Sequence, residues 1–198
     1  MVNKISEEYD NPLDVIICRH IDKNLEFYYN LGLTPNDLTT ISLISGLLSV
    51  YFAYNRQYIV ASILWAIAYY YDCADGKLAR KYKLTSKFGD LYDHVSDIIK
   101  HGLMFYVLYQ KIYDKSFTTK FILIGAICLI SLLTVSQLGC QEKISENKDS
   151  PTLSLAKSFI FMEDCKKQTK YTKYFSPVTI SSYIIILMLY LIVVNTNK

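Results

Sequence analysis

Apolar residues gather into five runs, at 38–54, 58–71, 98–113, 121–138 and 178–194, separated by short polar stretches. Such runs predict helices that cross a membrane, and the shorter ones fall below the roughly 20 residues that a hydrocarbon core requires. They must therefore extend into their flanks or tilt little. Ahead of them, Leu13, Ile16, Ile17, His20, Ile21, Leu25, Tyr28 and Tyr29 recur near a period of 3.6, with Asp14, Arg19, Asp22, Lys23 and Glu26 mostly opposite. That pattern predicts an amphipathic helix after Asn11-Pro12, either in the headgroup plane or packed on another cytosolic helix; the interfacial placement is the expectation. Residues 1–11 are polar and predicted to be mobile, and Gly32-Leu33-Thr34-Pro35-Asn36 ends the amphipathic helix and starts the first span.

Within that span, Ser45 and Gly46 offer a close helix contact. Residues 139–176 interrupt the apolar rhythm: 152–162 is apolar enough for a short amphipathic helix but too short to cross comfortably, so counting gives five spans plus this piece. The expected fold is an all-α polytopic membrane bundle of about five to six transmembrane helices plus the N-terminal interfacial helix. Residues 1–33 form an N-terminal cytosolic segment in this reading, and residues 34–198 the membrane-embedded domain.

Two polar stripes break the apolar pattern where it matters most. Read as helix, Asp72, Asp75, Gly76, Ala79 and Arg80 share one face, and Gly89, Asp93 and Asp97 share another. The first stripe directly follows the run 58–71 and the second leads into the run 98–113, so both sit at a membrane edge. Four carboxylates brought together by packed helices would repel one another, and burial would disfavour their charge further. A divalent cation removes that conflict. Oxygen ligands with phosphate and water suit Mg²⁺ or Mn²⁺, and no paired cysteines or histidines lie nearby to suggest zinc. The small residues admit a flat polar group close to the backbone and Arg80 offers a fork for phosphate oxygen, which together fit a nucleotide diphosphate. His94 follows Asp93 immediately and points off the acidic face, while Lys100 either snorkels or lines the cavity.

Composition and charge sharpen this picture. The chain has 198 residues and is 52% hydrophobic, more than a soluble domain of this size needs. Five cysteines without metal-like spacing read as free thiols and packing residues. No signal peptide is expected, and no nucleic-acid motif occurs. The segments 1–33, 72–97 and 139–177 hold fifteen Lys and Arg against five on the opposite side, with Lys100 inside a span, which places the acidic stripes in the cytosol. The cluster Lys166, Lys167, Lys170 and Lys173 either holds lipid phosphate or marks the cytosolic side.

The two stripes together read D-x2-D-G-x2-A-R-x8-G-x3-D-x3-D across 72–97, with each fixed position occupied. This resembles the signature of the CDP-alcohol phosphotransferases (CDP-alcohol phosphatidyltransferases), with good coverage over about residues 34–110 and hydrophobic pattern beyond. The resemblance implies an integral-membrane enzyme that moves a phosphoalcohol unit from a CDP-alcohol to a lipid or small alcohol acceptor and releases CMP. It implies Mg²⁺ or Mn²⁺, two ions, held by Asp72, Asp75, Asp93 and Asp97, with Asp97 also the catalytic base. It places Asn36, Asp72, Gly76, Ala79 and Arg80 at the CDP-alcohol and makes Gly89 a helix-packing residue. Asp93-His94 resembles the aminoalcohol branch, which favours CDP-choline or CDP-ethanolamine with diacylglycerol; CDP-diacylglycerol with a small polar alcohol (inositol, glycerol phosphate or serine type) is the alternative. An Asp-rich prenyltransferase and a non-enzymatic cation-binding protein or transporter are the competing classes, and a homodimer is left open.

Overall fold

The computed structural model describes residues 7–112, 116–144 and 153–196. It contains seven α-helices: α1 (Pro12–Asn30), α2 (Pro35–Tyr54), α3 (Tyr58–Lys81), α4 (Lys87–Ile112), α5 (Phe117–Ile144), α6 (Cys165–Thr172) and α7 (Pro177–Thr196). Among the described residues no strand occurs, and two short 3-10 turns, Glu7–Tyr9 and Leu153–Phe159, complete the element order. The chain is therefore an all-helical bundle, as the apolar runs required. Three stretches, Pro35–Tyr54, Phe117–Gln141 and Cys165–Val194, are long and apolar enough to cross a membrane among the described residues. α3 and α4 are also long, at 24 and 26 residues, but each joins an apolar run to a charged stripe.

Helix starts follow from local chemistry. The Asn11 side chain accepts from the Leu13 amide at 3.0 Å, with Pro12 in the first turn. Thr34 and Asp37 form a reciprocal capping box at α2. Between α2 and α3 the chain turns at Arg56, in the left-handed region at φ 63. Along one face of α2, Thr39, Ser42, Gly46, Ser49 and Ala53 are all buried between α3 and α4, and Ser49 Oγ donates to the Ala61 carbonyl at 2.7 Å. The seven-residue stagger of these small side chains lets α2 and α3 lie close. Toward the other end of these helices, Trp65, Met104, Leu108, Ile184, Met188 and Leu191 form a core joining α3, α4 and α7.

α1 packs on the charged end of α3. Ile21 and Leu25 are fully buried against Leu38, Ala74 and Leu78, and Lys77 reaches from α3 to the Cys18 carbonyl at 3.1 Å and Asp22 at 2.8 Å. Leu13, Ile16 and Phe27 on α1, and Leu31 just after it, remain outward. The helix thus makes the contact with another helix that the sequence weighed second, and keeps an apolar outer side as well.

Two expectations are corrected. The polar start is not loose at Glu7–Asn11: Asn11 is buried, its amide donates to the Tyr174 carbonyl at 3.2 Å and Thr179 Oγ1 at 3.3 Å, and Gln137 donates to the Tyr9 carbonyl at 3.3 Å. The apolar piece near 152–162 is a 3-10 turn, Leu153–Phe159, and not an α-helix. The basic cluster lies in α6, capped by Asp164 through the amides of Lys166 and Lys167 at 3.0 and 3.2 Å. Buried Gln168 fixes this region, donating to Ser136 Oγ at 2.6 Å and accepting from the amides of Phe161 and Met162.

Gly139 on α5 lies so close to the 3-10 turn that a Cβ would run into the backbone carbonyl of Ala156. Because the obstacle is backbone and not a flexible side chain, Gly139→Ala is expected to destabilise the packing of α5 on residues 153–159 by about 1–3 kcal/mol. A lower thermal midpoint in detergent checks this; an unchanged midpoint contradicts the packing.

Candidate active site

The charged end of α3 carries Asp72 and Asp75, the start of α4 carries Asp93 and Asp97, and α2 closes the third side. Asp75 is buried and accepts from Thr39 Oγ1 at 2.5 Å. Asp72 Oδ1 lies 3.4 Å from Ser42 Oγ and 2.5 Å from Lys100 Nζ. Lys100 Nζ also pairs with Asp97 Oδ1 at 2.8 Å. Asp72, Asp93 and Asp97 each offer a carboxylate oxygen within 4.8 Å of the others, an arrangement able to hold a metal ion. Asp75 joins them on the same face of α3, with one oxygen committed to Thr39.

The carboxylates lie beyond the apolar segment ending at Tyr71 and ahead of the one beginning at Ile98. Burial first, and the neighbouring carboxylates second, push Asp75 and Asp93 above the usual carboxylate range. The same burial leaves Asp93 Oδ1 without a hydrogen-bond partner. An oxygen in that state needs a cation or a proton. The donor set, all carboxylate with hydroxyls behind it, is the chemistry of a hard divalent ion. The residues therefore fit Mg²⁺ or Mn²⁺.

The other signature positions have different surroundings. Gly76 faces the Arg80 guanidinium, whose Nη1 would meet a Cβ there at 3.1 Å, so the space at Gly76 is where the Arg80 head folds back. Ala79 is half-buried, and Arg80 as a whole residue is exposed. Gly89 lies under Asn36: a Cβ would come 3.1 Å from Asn36 Oδ1 and 3.0 Å from Ser86 Oγ. That close approach draws α4 to the start of α2 and sets Asn36 beside Gly89, one turn ahead of Asp93. Thr40 and Tyr92, 3.0 Å apart, make a second tie between the same helices. His94 Nδ1 lies 2.7 Å from the Asp90 carbonyl, on the helix's own backbone.

Thr39 and Ser42 were not singled out from the sequence, which pointed to Ser45 beside Gly46. The signal lay in the seven-residue stagger of 39, 42, 46, 49 and 53, which puts Ser42 and not Ser45 on the buried face. For Lys100 the two readings resolve to the inward one, since its side chain is 3% exposed.

Comparison with known proteins agrees with this geometry. An archaetidylinositol phosphate synthase of Pyrococcus horikoshii is 37% identical over 97 residues, 49% of this chain and 47% of the relative. A CDP-diacylglycerol–serine O-phosphatidyltransferase of Helicobacter pylori is 36% identical over 73 residues, 37% of this chain and 31% of the relative. The corresponding enzyme of Mycobacterium leprae is 34% identical over 74 residues, 37% of this chain and 25% of the relative. The chain thus spans less than half the length of the curated relatives it matches, and no solved structure matches it. The family model for CDP-alcohol phosphatidyltransferase, however, covers residues 32–196, from the turn before α2 to the end of α7. With that extent of match and the acidic cage in place, this chain belongs to the CDP-alcohol phosphatidyltransferase family.

Proposed function

We propose that the chain transfers a phosphatidyl-type group from CDP-diacylglycerol to a small polar alcohol and releases CMP. The observation that carries this reading is the convergence of three carboxylates, Asp72, Asp93 and Asp97, from two helix ends, with buried Asp75 one turn along α3 from Asp72. The preference for CDP-choline or CDP-ethanolamine is set aside, because the relatives are named for serine and archaetidylinositol phosphate synthesis. Its basis, Asp93-His94, also weakens physically: His94 Nδ1 is engaged by the Asp90 carbonyl. Membership of the family removes the prenyltransferase and transporter readings.

In this mechanism Asp72, Asp75, Asp93 and Asp97 would hold Mg²⁺ or Mn²⁺. When bound, the cation neutralises the diphosphate and stabilises charge on the departing CMP. Thr39 fixes Asp75 in orientation, and Ser42 and Lys100 fix Asp72. Arg80 takes a phosphate oxygen by charge-assisted hydrogen bonds. Asn36, Gly76 and Ala79 border the cytidine end. Asp97, the last carboxylate before the apolar part of α4, accepts the proton of the attacking hydroxyl as the new phosphorus–oxygen bond forms. All four carboxylates come from one chain, so the site needs no second copy.

The site faces the cytosol in this reading, on the evidence of fifteen basic residues against five. The outward Leu13, Ile16, Phe27 and Leu31 support a position for α1 at the headgroup plane, as a cytosolic segment ahead of the membrane domain. A cysteine at Lys83 in sealed right-side-out vesicles is expected to escape a membrane-impermeant thiol reagent; efficient labelling would invert the topology. Donor choice is tested by binding in lipid with Mg²⁺: CDP-diacylglycerol is expected to compete with labelled CDP, whereas tighter binding of CDP-choline would restore the aminoalcohol reading.

A further inference from the structure

Lys100 lies outside the signature, yet it is the most committed cation in the site. Its ammonium contacts Ser42 Oγ at 2.7 Å, Asp72 Oδ1 at 2.5 Å and Asp97 Oδ1 at 2.8 Å. Of the three N–H groups of the ammonium, two donate to Ser42 and Asp72, and Asp97 is held as an ion pair. Its stem crosses α2 at Gly46, where a Cβ would come within 3.2 Å of both Cβ and Cδ of Lys100. A lysine at the edge of an apolar helix ordinarily runs outward to the interface. Here the absence of a side chain at position 46 and the hydroxyl at position 42 give it an inward channel.

We propose that Lys100 is a tethered cation standing in for one of the two divalent ions expected of such a cage, so that the site binds one divalent ion per chain. The inference rests on the reading of the carboxylates as a metal site, and it concerns how many ions they hold. Lys100 occupies one oxygen on the first carboxylate of the signature and one on the last. A second ion shared by Asp72 and Asp97 would lie against the ammonium, a like-charge contact that the partly buried surroundings strengthen. Asp93 Oδ1 and Asp97 Oδ1 are both buried without a hydrogen-bond partner, but Lys100 lies 2.8 Å from the second, so the first marks the place left for the single ion. Without the ammonium, Asp72 and Asp97 face each other uncompensated, and a second divalent ion becomes the favourable way to neutralise them.

The number of bound ions tests this without reference to turnover. Purified full-length protein in lipid, titrated with Mn²⁺ in the presence of CDP and followed by the EPR signal of free Mn²⁺, is expected to bind one ion per chain. Lys100→Met, or Lys100→Gln if the first variant does not fold, is expected to bind two. Ser42→Ala, which removes one partner and keeps the charge, is expected to bind one. Two ions in the unaltered protein, or one in a folded Lys100 variant, would overturn the tethered-cation inference and leave the metal-site reading standing. No Mn²⁺ binding at all would overturn both.

Discussion

Chelation with EDTA abolishes CMP release, and Mg²⁺ or Mn²⁺ restores it. The expectation follows from the electrostatics of the cage. Asp72, Asp93 and Asp97 bring carboxylate oxygens within 4.8 Å of one another, and burial works against the charge of Asp75 and Asp93. Lys100 compensates one side only, through Asp72 and Asp97. Without a further cation, the remaining carboxylates either repel the donor's diphosphate or take up protons, and neither state stabilises a departing CMP. The loss on chelation is accordingly complete and not partial. Full turnover in metal-free buffer would remove the cage from the mechanism.

Asp97→Asn lowers turnover by two or more decades, toward the upper range for removal of a general base, while sparing much of the binding of the CDP-alcohol. Asp97 is one turn beyond Asp93, opens more to the outside than Asp72 (37% against 20% of its side chain exposed), and leads into the apolar part of α4. The Lys100 contact at 2.8 Å fixes its carboxylate in place at the mouth of the cage. Asp75→Asn has a different signature, because Asp75 is buried and braced by Thr39. Its replacement weakens metal and nucleotide binding together. Turnover near normal in Asp97→Asn, or a loss of nucleotide affinity as severe as in Asp75→Asn, would remove Asp97 from the role of base.

What the sequence made legible follows from which interactions are local. The two acidic stripes could be read because helical spacing alone puts Asp72 with Asp75 and Asp93 with Asp97. Gly89 could be read as a contact residue for the same reason, although its partner, Asn36, lies more than fifty positions earlier. Thr39 and Ser42 were harder to see, since hydroxyl residues in an apolar helix often bond their own backbone, as Thr40 does to the Asn36 carbonyl at 2.7 Å. Only the packing of α2 on α3 turns them toward the carboxylates. The direction of Lys100 depended on Gly46 of another helix. The region after α5 was the least legible. Its shape depends on Gln168 and on the contact of Gly139 with Ala156, pairings between distant residues that no periodicity announces. The order of Glu7–Asn11 is of the same kind, resting on Gln137, Tyr174 and Thr179 far along the chain.

Acceptor-dependent CMP release is the most direct measurement of the central claim. Purified protein in lipid with Mg²⁺ is given labelled CDP-diacylglycerol alone, then with serine, inositol, inositol phosphate or glycerol phosphate, and in parallel CDP-choline or CDP-ethanolamine with diacylglycerol. CMP is expected from CDP-diacylglycerol only when one of the small polar alcohols is present, and a phosphatidyl product is expected to appear in equal amount. Release of CMP from CDP-choline or CDP-ethanolamine alone among the donors, or from none of them, would contradict the account.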